Sequence, residues 1–395
     1  MSSFNKKLLE TGIQNFIFEN IDTDIVSLLL KKQLFDHVSN KELAQQLESR
    51  KKCEKKLPTW FKTQKIYYPK PLNIEQTSSE ITADYKLEII GGKSIIDLSG
   101  GLGVDSYFFA KKFQSVLHCE IDPELSQIAQ YNFEILGASN IETIVANGID
   151  FLKERTIKPD WLFIDPSRRD KIKGKVIKLE DCQPDIPSNL ALLFEKSDKI
   201  LLKTSPLLDL QAGILSLRFV REIHIVALAN EVKELLWVME KGFSGEPLIE
   251  TINSTQAAQQ VFSFYLSEEK SALPIFSMPR SYLYEPNAAL MKSGAFKYLT
   301  KYFKIDKLHA STHLYTSDEL IEFPGRRFKI ERFLPYNAKS IKKLNLTKSN
   351  ISTRNFPDSV KRIKSKYGIK DGGSHYLFFC RCYDNRLGVL KCSKI

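Results

Sequence analysis

Three short segments of this 395-residue chain hold residue types that could do chemistry together. They are Asp97-Leu-Ser-Gly-Gly-Leu-Gly-Val-Asp105, Glu120-Ile121 and Asp165-Pro-Ser-Arg-Arg169. In the first, an apolar run from Ser94 ends in a turn with glycine at 100, 101 and 103, and an apolar, helix-like segment follows. Such a turn closes the first strand of an open α/β sheet and lets the backbone approach a ligand closely. The spacing is not the G-x-G-x-x-G of a dinucleotide site, because Val104-Asp105 stand where a third glycine would be spaced. Asp97, just ahead of the turn, repels a pyrophosphate and suits a cationic amino-acid group. Glu120 follows Gly100 by about 20 residues, where a carboxylate can accept both hydroxyls of a ribose. A nucleoside that carries an amino acid and no diphosphate meets both conditions, and S-adenosylmethionine is such a molecule. Asp97, Ser99, Gly100, Gly101, Gly103, Glu120 and Ile121 are therefore candidate cofactor residues.

Asp165-Pro166 closes the fourth strand-like run and falls at the lip of the same crevice, opposite a transferable methyl. A carboxylate there can accept a hydrogen bond or a proton from the acceptor. Pro166 fixes the local backbone, and Arg168 and Arg169 could hold a phosphate or carboxylate in bidentate fashion. Asp165, Pro166, Arg168 and Arg169 are the candidate catalytic residues. Asn147-Gly148-Ile-Asp150 follows the third run, where an adenine amino group would be read, by either Asn147 or Asp150. Lys203-Thr-Ser-Pro206 ends the fifth run and would form another wall. Ser78 or Ser79, with Thr82 near the start of the same helix, could cap that helix or stand over the crevice. Cys182 could serve as a nucleophile in C5-pyrimidine chemistry, although no second motif accompanies it. His118 and His224 lie inside strands as structural residues.

These residues need a scaffold of alternating strands and helices. Strand-like runs cover 94–98, 116–120, 141–145, 161–164, 199–202, 223–228 and 261–266. Helical intervals include 104–112, 123–136 and 186–195, and 231–239 fills the last crossover as a helix. Seven strands with helices between the early ones make an α/β, Rossmann-like, doubly wound sheet. Residues 1–62 read as helical, with capping residues before Ile25 and an Asn cap at Asn40. Beyond Pro274 the pattern becomes a small α+β module with a basic helix after Pro357, a turn into a strand over 371–382 and a return over 387–391 that could lie beside it as a hairpin. There Tyr376, Phe378 and Phe379 either stack on bases or pack a core.

The net charge is +11, and it is not evenly spread. Residues 280–395 hold 24 lysines and arginines against 9 acidic residues, which leaves the remainder slightly acidic. A basic module beside a near-neutral enzyme-like domain suits an anionic polymer, most often nucleic acid. No apolar run reaches the roughly 20 residues that span a bilayer, and the N-terminus lacks the apolar core of a signal peptide. Six cysteines, with no second Cys or His pair at metal spacing, point to reduced structural thiols in a cytoplasm and to no metal site.

At this point the chain resembles a known family. Gln76-Thr-Ser-Ser-Glu-Ile-Thr-Ala-Asp-Tyr-Lys86, Asp97-Leu-Ser-Gly-Gly-Leu-Gly-Val-Asp105 and Asp165-Pro-Ser-Arg-Arg169 are similar to the bacterial class I SAM-dependent methyltransferases with a C-terminal THUMP-like domain. Tyr284-Glu-Pro-Asn-Ala, Phe323-Pro-Gly-Arg, Ser352-Thr-Arg-Asn-Phe-Pro and Lys370-Asp-Gly-Gly resemble that family's ferredoxin-like and THUMP-like units. The resemblance implies methylation of RNA, tRNA or rRNA, with the basic module docking it. It also implies four regions: helices and linker over 1–88, the SAM-binding domain over 89–272, a ferredoxin-like segment over 273–321 and a THUMP-like domain over 322–395. A methyltransferase of a protein or small anionic metabolite, and a non-catalytic RNA-binding protein, are the alternatives. Exocyclic-amine methyltransferases carry Asp/Asn-Pro-Pro-aromatic, and here Ser167 and Arg168 take the last two places.

Overall fold

The computed structural model describes residues 4–168, 178–344 and 346–395. The chain divides into two compact units, Met1–Val220 with Leu236–Ser244, and Arg221–Leu235 with Gly245–Ile395.

The first unit opens with six helices, α1 (Thr11–Glu19), α2 (Ile25–Leu30), α3 (Asn40–Lys56), α4 (Pro58–Lys62), α5 (Pro71–Gln76) and α6 (Glu80–Ile89). The cap of α3 is Ser39, one residue before the expected Asn40. Ser39 Oγ accepts the Glu42 N–H while the Glu42 carboxylate accepts the Ser39 N–H, so two otherwise orphaned donors are satisfied. Leu43, Leu47 and Cys53 then face the core, and the buried Arg50 donates to the carbonyls of Ile17 and Phe18, tying down the end of α1. Trp60, Tyr67 and Tyr68 share one apolar cluster with Leu102, Val104, Phe108 and Ile128. The N-terminal helices are thereby packed onto the helices that follow the glycine turn.

Next come β1 (Ser94–Asp97), α7 (Val104–Ala110), β2 (Ser115–Glu120), α8 (Pro123–Ile135), β3 (Ile141–Val145), α9 (Gly148–Glu154) and β4 (Trp161–Ile164). A two-residue ribbon follows, β5 (Ser167–Arg168) with β6 (Cys182–Gln183), then α10 (Ile186–Lys196), β7 (Lys199–Thr204) and α11 (Leu210–Ser216). The larger strands lie in the order β7-β4-β1-β2-β3, all parallel. Ile164, Leu162 and Ile200 to Leu202 are buried, as expected for strands covered on both faces. Parallel pairing with right-handed crossovers brings every strand's carboxyl end to one edge, and that edge carries the site.

Further along the chain, β8 (Val220–Leu228) and β9 (Glu231–Glu240) meet at Ala229-Asn230, both with positive φ (49° and 66°). Two successive left-handed residues are the geometry of a tight hairpin turn. Residues 231–239 are therefore a strand, not the expected crossover helix. The strand β10 (Leu248–Ser254), which the sequence reading also missed, pairs parallel with β8 and antiparallel with β11 (Gln259–Tyr265). The described residues thus give the main sheet nine strands, two more than expected.

Beyond α12 (Leu266–Ser271) lies a second sheet. Its elements are β12 (Tyr282–Pro286), α13 (Ala288–Ser293), α14 (Tyr298–Phe303), β13 (Asp306–Lys307), β14 (Tyr315–Ser317) and β15 (Gly325–Pro335). They continue with α15 (Ala338–Lys342), β16 (Asn350–Arg354), α16 (Val360–Tyr367), β17 (His375–Arg381) and β18 (Leu387–Lys394), in the strand order β13-β14-β12-β15-β18-β17-β16. Phe378 and Phe379 are buried in its two apolar clusters, so they do not stack on bases. Tyr376 packs against Phe328 at 5.0 Å. The motifs Tyr284-Glu285, Gly325-Arg326 and Thr353-Arg354 converge here. The Glu285 carboxylate is 4% exposed and accepts from Arg326 Nε at 2.6 Å and from an Arg354 guanidinium nitrogen at 2.8 Å. Exposed Lys361, Arg362 and Lys366 line a shallow groove along α16. Among the described residues no helix is long and apolar enough to cross a membrane, and no group of His, Cys, Asp and Glu could hold a metal ion.

Candidate active site

Sheet register assembles the site. Asp97 pairs with His118 on β2 and with Phe163 on β4, so the chain leaving β1 crosses the ends of both neighbours. The Gly100 N–H donates to the Cys119 carbonyl at 2.8 Å, and the Gly101 N–H donates to Glu120 Oε2 at 2.7 Å. The other oxygen of Glu120 accepts the Asp122 N–H at 2.8 Å. The glycine turn and the carboxylate at the end of β2 therefore hold each other in place. Gly101 has φ of 57°, which a side chain would make costly.

Gly100 is required for a different reason. An added Cβ would lie 2.2 Å from Nε2 of the fully buried His118. Burial lowers the His118 pKa to about 4, so the ring sits neutral beneath the turn and packs edge-on against Phe133. Gly100→Ala is expected to cost about 1–3 kcal/mol of stability in urea unfolding, the usual penalty of overpacking.

The turn opens onto a cavity of about 880 Å³ at the carboxyl ends of the strands. Its walls include Asp97, Ser99, Gly100, Gly101, Glu120, Ile121, Asn147, Gly148, Asp165 and Pro166 from the expected set. Asn147 caps α9, its Oδ1 accepting the Ile149 N–H at 3.0 Å, and it lines the cavity. Asp150 lines the adjoining groove instead and pairs with Lys153 at 2.8 Å. Gly103 caps α7 beneath Phe133, and Ser79 caps α6 by accepting the Thr82 N–H. These three, Gly103, Ser79 and Thr82, were expected at the cofactor but do not line the cavity; Gly103 and Ser79 serve as helix caps and Thr82 is buried in the first turn of α6. Ser167 and Arg168 extend from the lip as β5, and Arg169 lies outside the described residues. Cys182 is buried, with Sγ 3.6 Å from the Lys178 carbonyl oxygen.

The carboxylates differ in their surroundings. Asp97 is 1% exposed, and burial pushes its carboxyl up to about 7. The Ser106 hydroxyl at 2.7 Å and the Ser99 N–H at 3.1 Å oppose that rise, while Asp105 and Asp165 reinforce it. Asp105 is also buried, which works against its charge. The Lys86 and Lys203 ammoniums outweigh burial and hold its carboxyl below the usual carboxylate range. The Asp165 N–H donates to Ser99 Oγ at 2.6 Å, fastening the lip to the turn.

Sequence reasoning missed Asn73, Gln76, Thr77 and Asp105 as wall residues, whereas Ser78 and Lys203, read as standing over the crevice and as another wall, both line it. Ser78 Oγ donates to Asp105 Oδ2 at 2.7 Å and accepts from Lys203 Nζ at 3.0 Å. Lys86, fully buried on α6, reaches Asp105 Oδ1 at 3.0 Å. The available signal was spacing: Thr82 and Lys86 lie one turn apart on α6, and Ser78 stands just ahead of its Ser79 cap.

Residues 282–324 match the model of a ferredoxin-like domain and residues 325–394 that of a THUMP domain-like unit. A 78-residue stretch is 35% identical to an uncharacterised RNA methyltransferase of Oceanobacillus iheyensis, covering 19% of this chain and 17% of that relative's length. The crystal structure of a protein described as a "putative methyltransferase" from Porphyromonas gingivalis W83 superposes with a TM-score of 0.89 and 31% identity over 99% of both chains. At that identity across nearly the whole of both, this chain and the Porphyromonas gingivalis protein belong to one methyltransferase family, an open parallel sheet followed by ferredoxin-like and THUMP domain-like units.

Proposed function

We propose that the protein methylates structured RNA, tRNA or rRNA, using S-adenosylmethionine. The observation that carries this reading is the convergence on one cavity of a glycine turn, a ribose-spaced carboxylate held to that turn, a buried Asp97 and the lip carboxylate Asp165. The cavity fits the cofactor chemically, with a carboxylate placed for each of its polar ends. Glu120 would accept the ribose hydroxyls, since each of its oxygens keeps a lone pair beyond its one backbone donor. Asp97 would face the cationic amino-acid end, and Asn147 with Ile121 would border the adenine. The cofactor supplies an electrophilic methyl group.

Asp165 and Pro166 orient the acceptor, and Arg168 with Arg169, next in the chain, hold a phosphate. The basic face of α16 docks RNA by backbone and shape, which makes binding salt-sensitive. Reduced cysteines and the composition favour a cytoplasmic setting.

Two measurements test this reading. Calorimetry should detect binding of S-adenosylmethionine and of its demethylated product. Mass spectrometry of nucleosides from a strain lacking the gene should show one methylated nucleoside missing relative to the parent. No heat with either compound, or an unchanged nucleoside profile, refutes the reading.

The buried Asp97 also gives cofactor binding a pH dependence. Its folded carboxyl titrates near 7 against about 4 in the unfolded chain. The native state therefore binds the extra proton between those values, and this group's contribution to stability falls as pH rises through 7. A cationic ligand needs the ionised form, so affinity should increase from pH 5.5 to 7.5, approaching tenfold per unit below 7. Asp97→Asn should bind more weakly at pH 7.5 and show a flatter profile in calorimetry.

A further inference from the structure

Lys203 stands where the sheet forces it to stand. The β4–β7 register pairs Ile164 with Leu202, so Asp165 and Lys203 leave the two strands side by side. The Lys203 ammonium lies 2.5 Å from Asp165 Oδ2, 3.0 Å from Ser78 Oγ and 3.8 Å from Asp105 Oδ2. Beyond Asp105 lies Lys86, so two ammoniums alternate with two carboxylates and the buried charges balance. Both side chains line the cavity, that of Lys203 11% exposed and that of Asp165 33% exposed. Among the described residues, Lys203 is the group that holds the Asp165 carboxylate, and it does so through Oδ2.

Resting on the reading above, we propose that Lys203 is a positioning residue that anchors Asp165 by one oxygen. The other oxygen is then left to receive the acceptor, so the atom methylated is a nitrogen or oxygen that carries a hydrogen. Such an acceptor donates its hydrogen to Oδ1, and this hydrogen bond aims its lone pair. As the acceptor's bond to the methyl carbon forms, the carbon–sulfur bond breaks with its electron pair going to sulfur. The acceptor's proton passes to Asp165. A ring nitrogen without hydrogen would set its lone pair against the carboxylate oxygen. A ring carbon of a pyrimidine would need a thiol nucleophile, and Cys182 is buried.

The test uses full-length protein, methyl-tritiated S-adenosylmethionine and total RNA from a strain lacking the gene. Lys203→Met should slow labelling at saturating RNA by about 10- to 100-fold, the scale of a 1 Å misplacement. The cofactor Kd and the KM for RNA should stay within about threefold. Lys203→Arg should recover part of the rate. The double variant Asp165→Asn/Lys203→Met should be no slower than Asp165→Asn alone, because Lys203 acts through Asp165. Without cofactor, that double variant should also melt no lower than Lys203→Met. The position of the label is read on the wild-type protein and so does not depend on any variant folding. It should fall on an atom that carried hydrogen in the unmodified nucleoside.

Additive losses in the double variant, wild-type speed in Lys203→Met, or a methyl on pyrimidine C5 or purine N7 would overturn the proposal while leaving RNA methylation standing. A wild-type protein that binds the cofactor and labels no RNA would overturn both.

Discussion

Asp165→Asn should lower the rate of methyl transfer to RNA by about 100- to 10,000-fold, the range over which a positioned proton acceptor contributes. The cofactor Kd should change by no more than a few-fold. The asparagine keeps the shape of the lip and the backbone bond from residue 165 to Ser99 Oγ. It loses the negative charge that balances Lys203 and the carboxylate oxygen that would accept a proton. The split between rate and affinity is the informative result. A parallel fall in both would mean that residue 165 shapes the cofactor pocket, not the acceptor's approach. An unchanged rate would mean that proton transfer is managed elsewhere. Single-turnover labelling of RNA from the deletion strain, alongside calorimetry on the same preparations, separates these outcomes.

Glu120→Ala should weaken S-adenosylmethionine binding by about 100-fold. Two hydrogen bonds from hydroxyls to a carboxylate are worth about 1.5–3 kcal/mol each, and about 3 kcal/mol in total already exceeds two factors of ten. The variant also releases the Gly101 N–H, which donates to Glu120 at 2.7 Å, so the turn loses its tether. Glu120→Gln keeps an acceptor oxygen and should cost about tenfold by the same reasoning. Calorimetry on both variants decides the matter. An affinity within threefold of wild type for Glu120→Ala would remove the ribose anchor and, with it, the main reason for this choice of cofactor.

The parts of the site legible from sequence are those built by adjacent residues. The Asp97–Asp105 turn, Glu120 at its spacing and Asp165 after an apolar run are local patterns, because each sits at a strand end whose hydrophobic run can be read directly. The helix starts are similarly local: Asn147, Ser79 and Ser359 cap their helices through side chains two or three residues from the amides they satisfy.

Residues 231–239 were not legible in this way. Glu-Val-Lys-Glu-Leu-Leu-Trp-Val-Met is rich in helix formers, yet Leu235 to Met239 are buried in succession, as in a strand covered on both faces. The turn at Ala229-Asn230, with both φ values positive, starts that strand, and the Ala-Asn pair lacks the glycine that usually announces such a turn. For the aromatic pair Phe378-Phe379 the sequence left base stacking and core packing as alternatives, and burial decides for the core. Adjacent strand residues point to opposite faces, but both faces of β17 are buried, so neither ring is available to a base.

By itself, then, the amino-acid order determined the open α/β class, the glycine turn, the carboxylate at the end of β2, the carboxylate at the lip and the basic C-terminal third. These depend on neighbours in the chain or on composition. Only the tertiary structure decided what surrounds Asp165. Lys203 lies 38 residues from it and 125 residues from Ser78, on the other side of Asp165 in the chain, and Lys86 lies on a helix ahead of the first strand. A lysine at a strand end reads as one more wall residue, and only parallel register sets it beside a particular carboxylate. Register and burial are properties of the packed sheet, and no local run of residues encodes them.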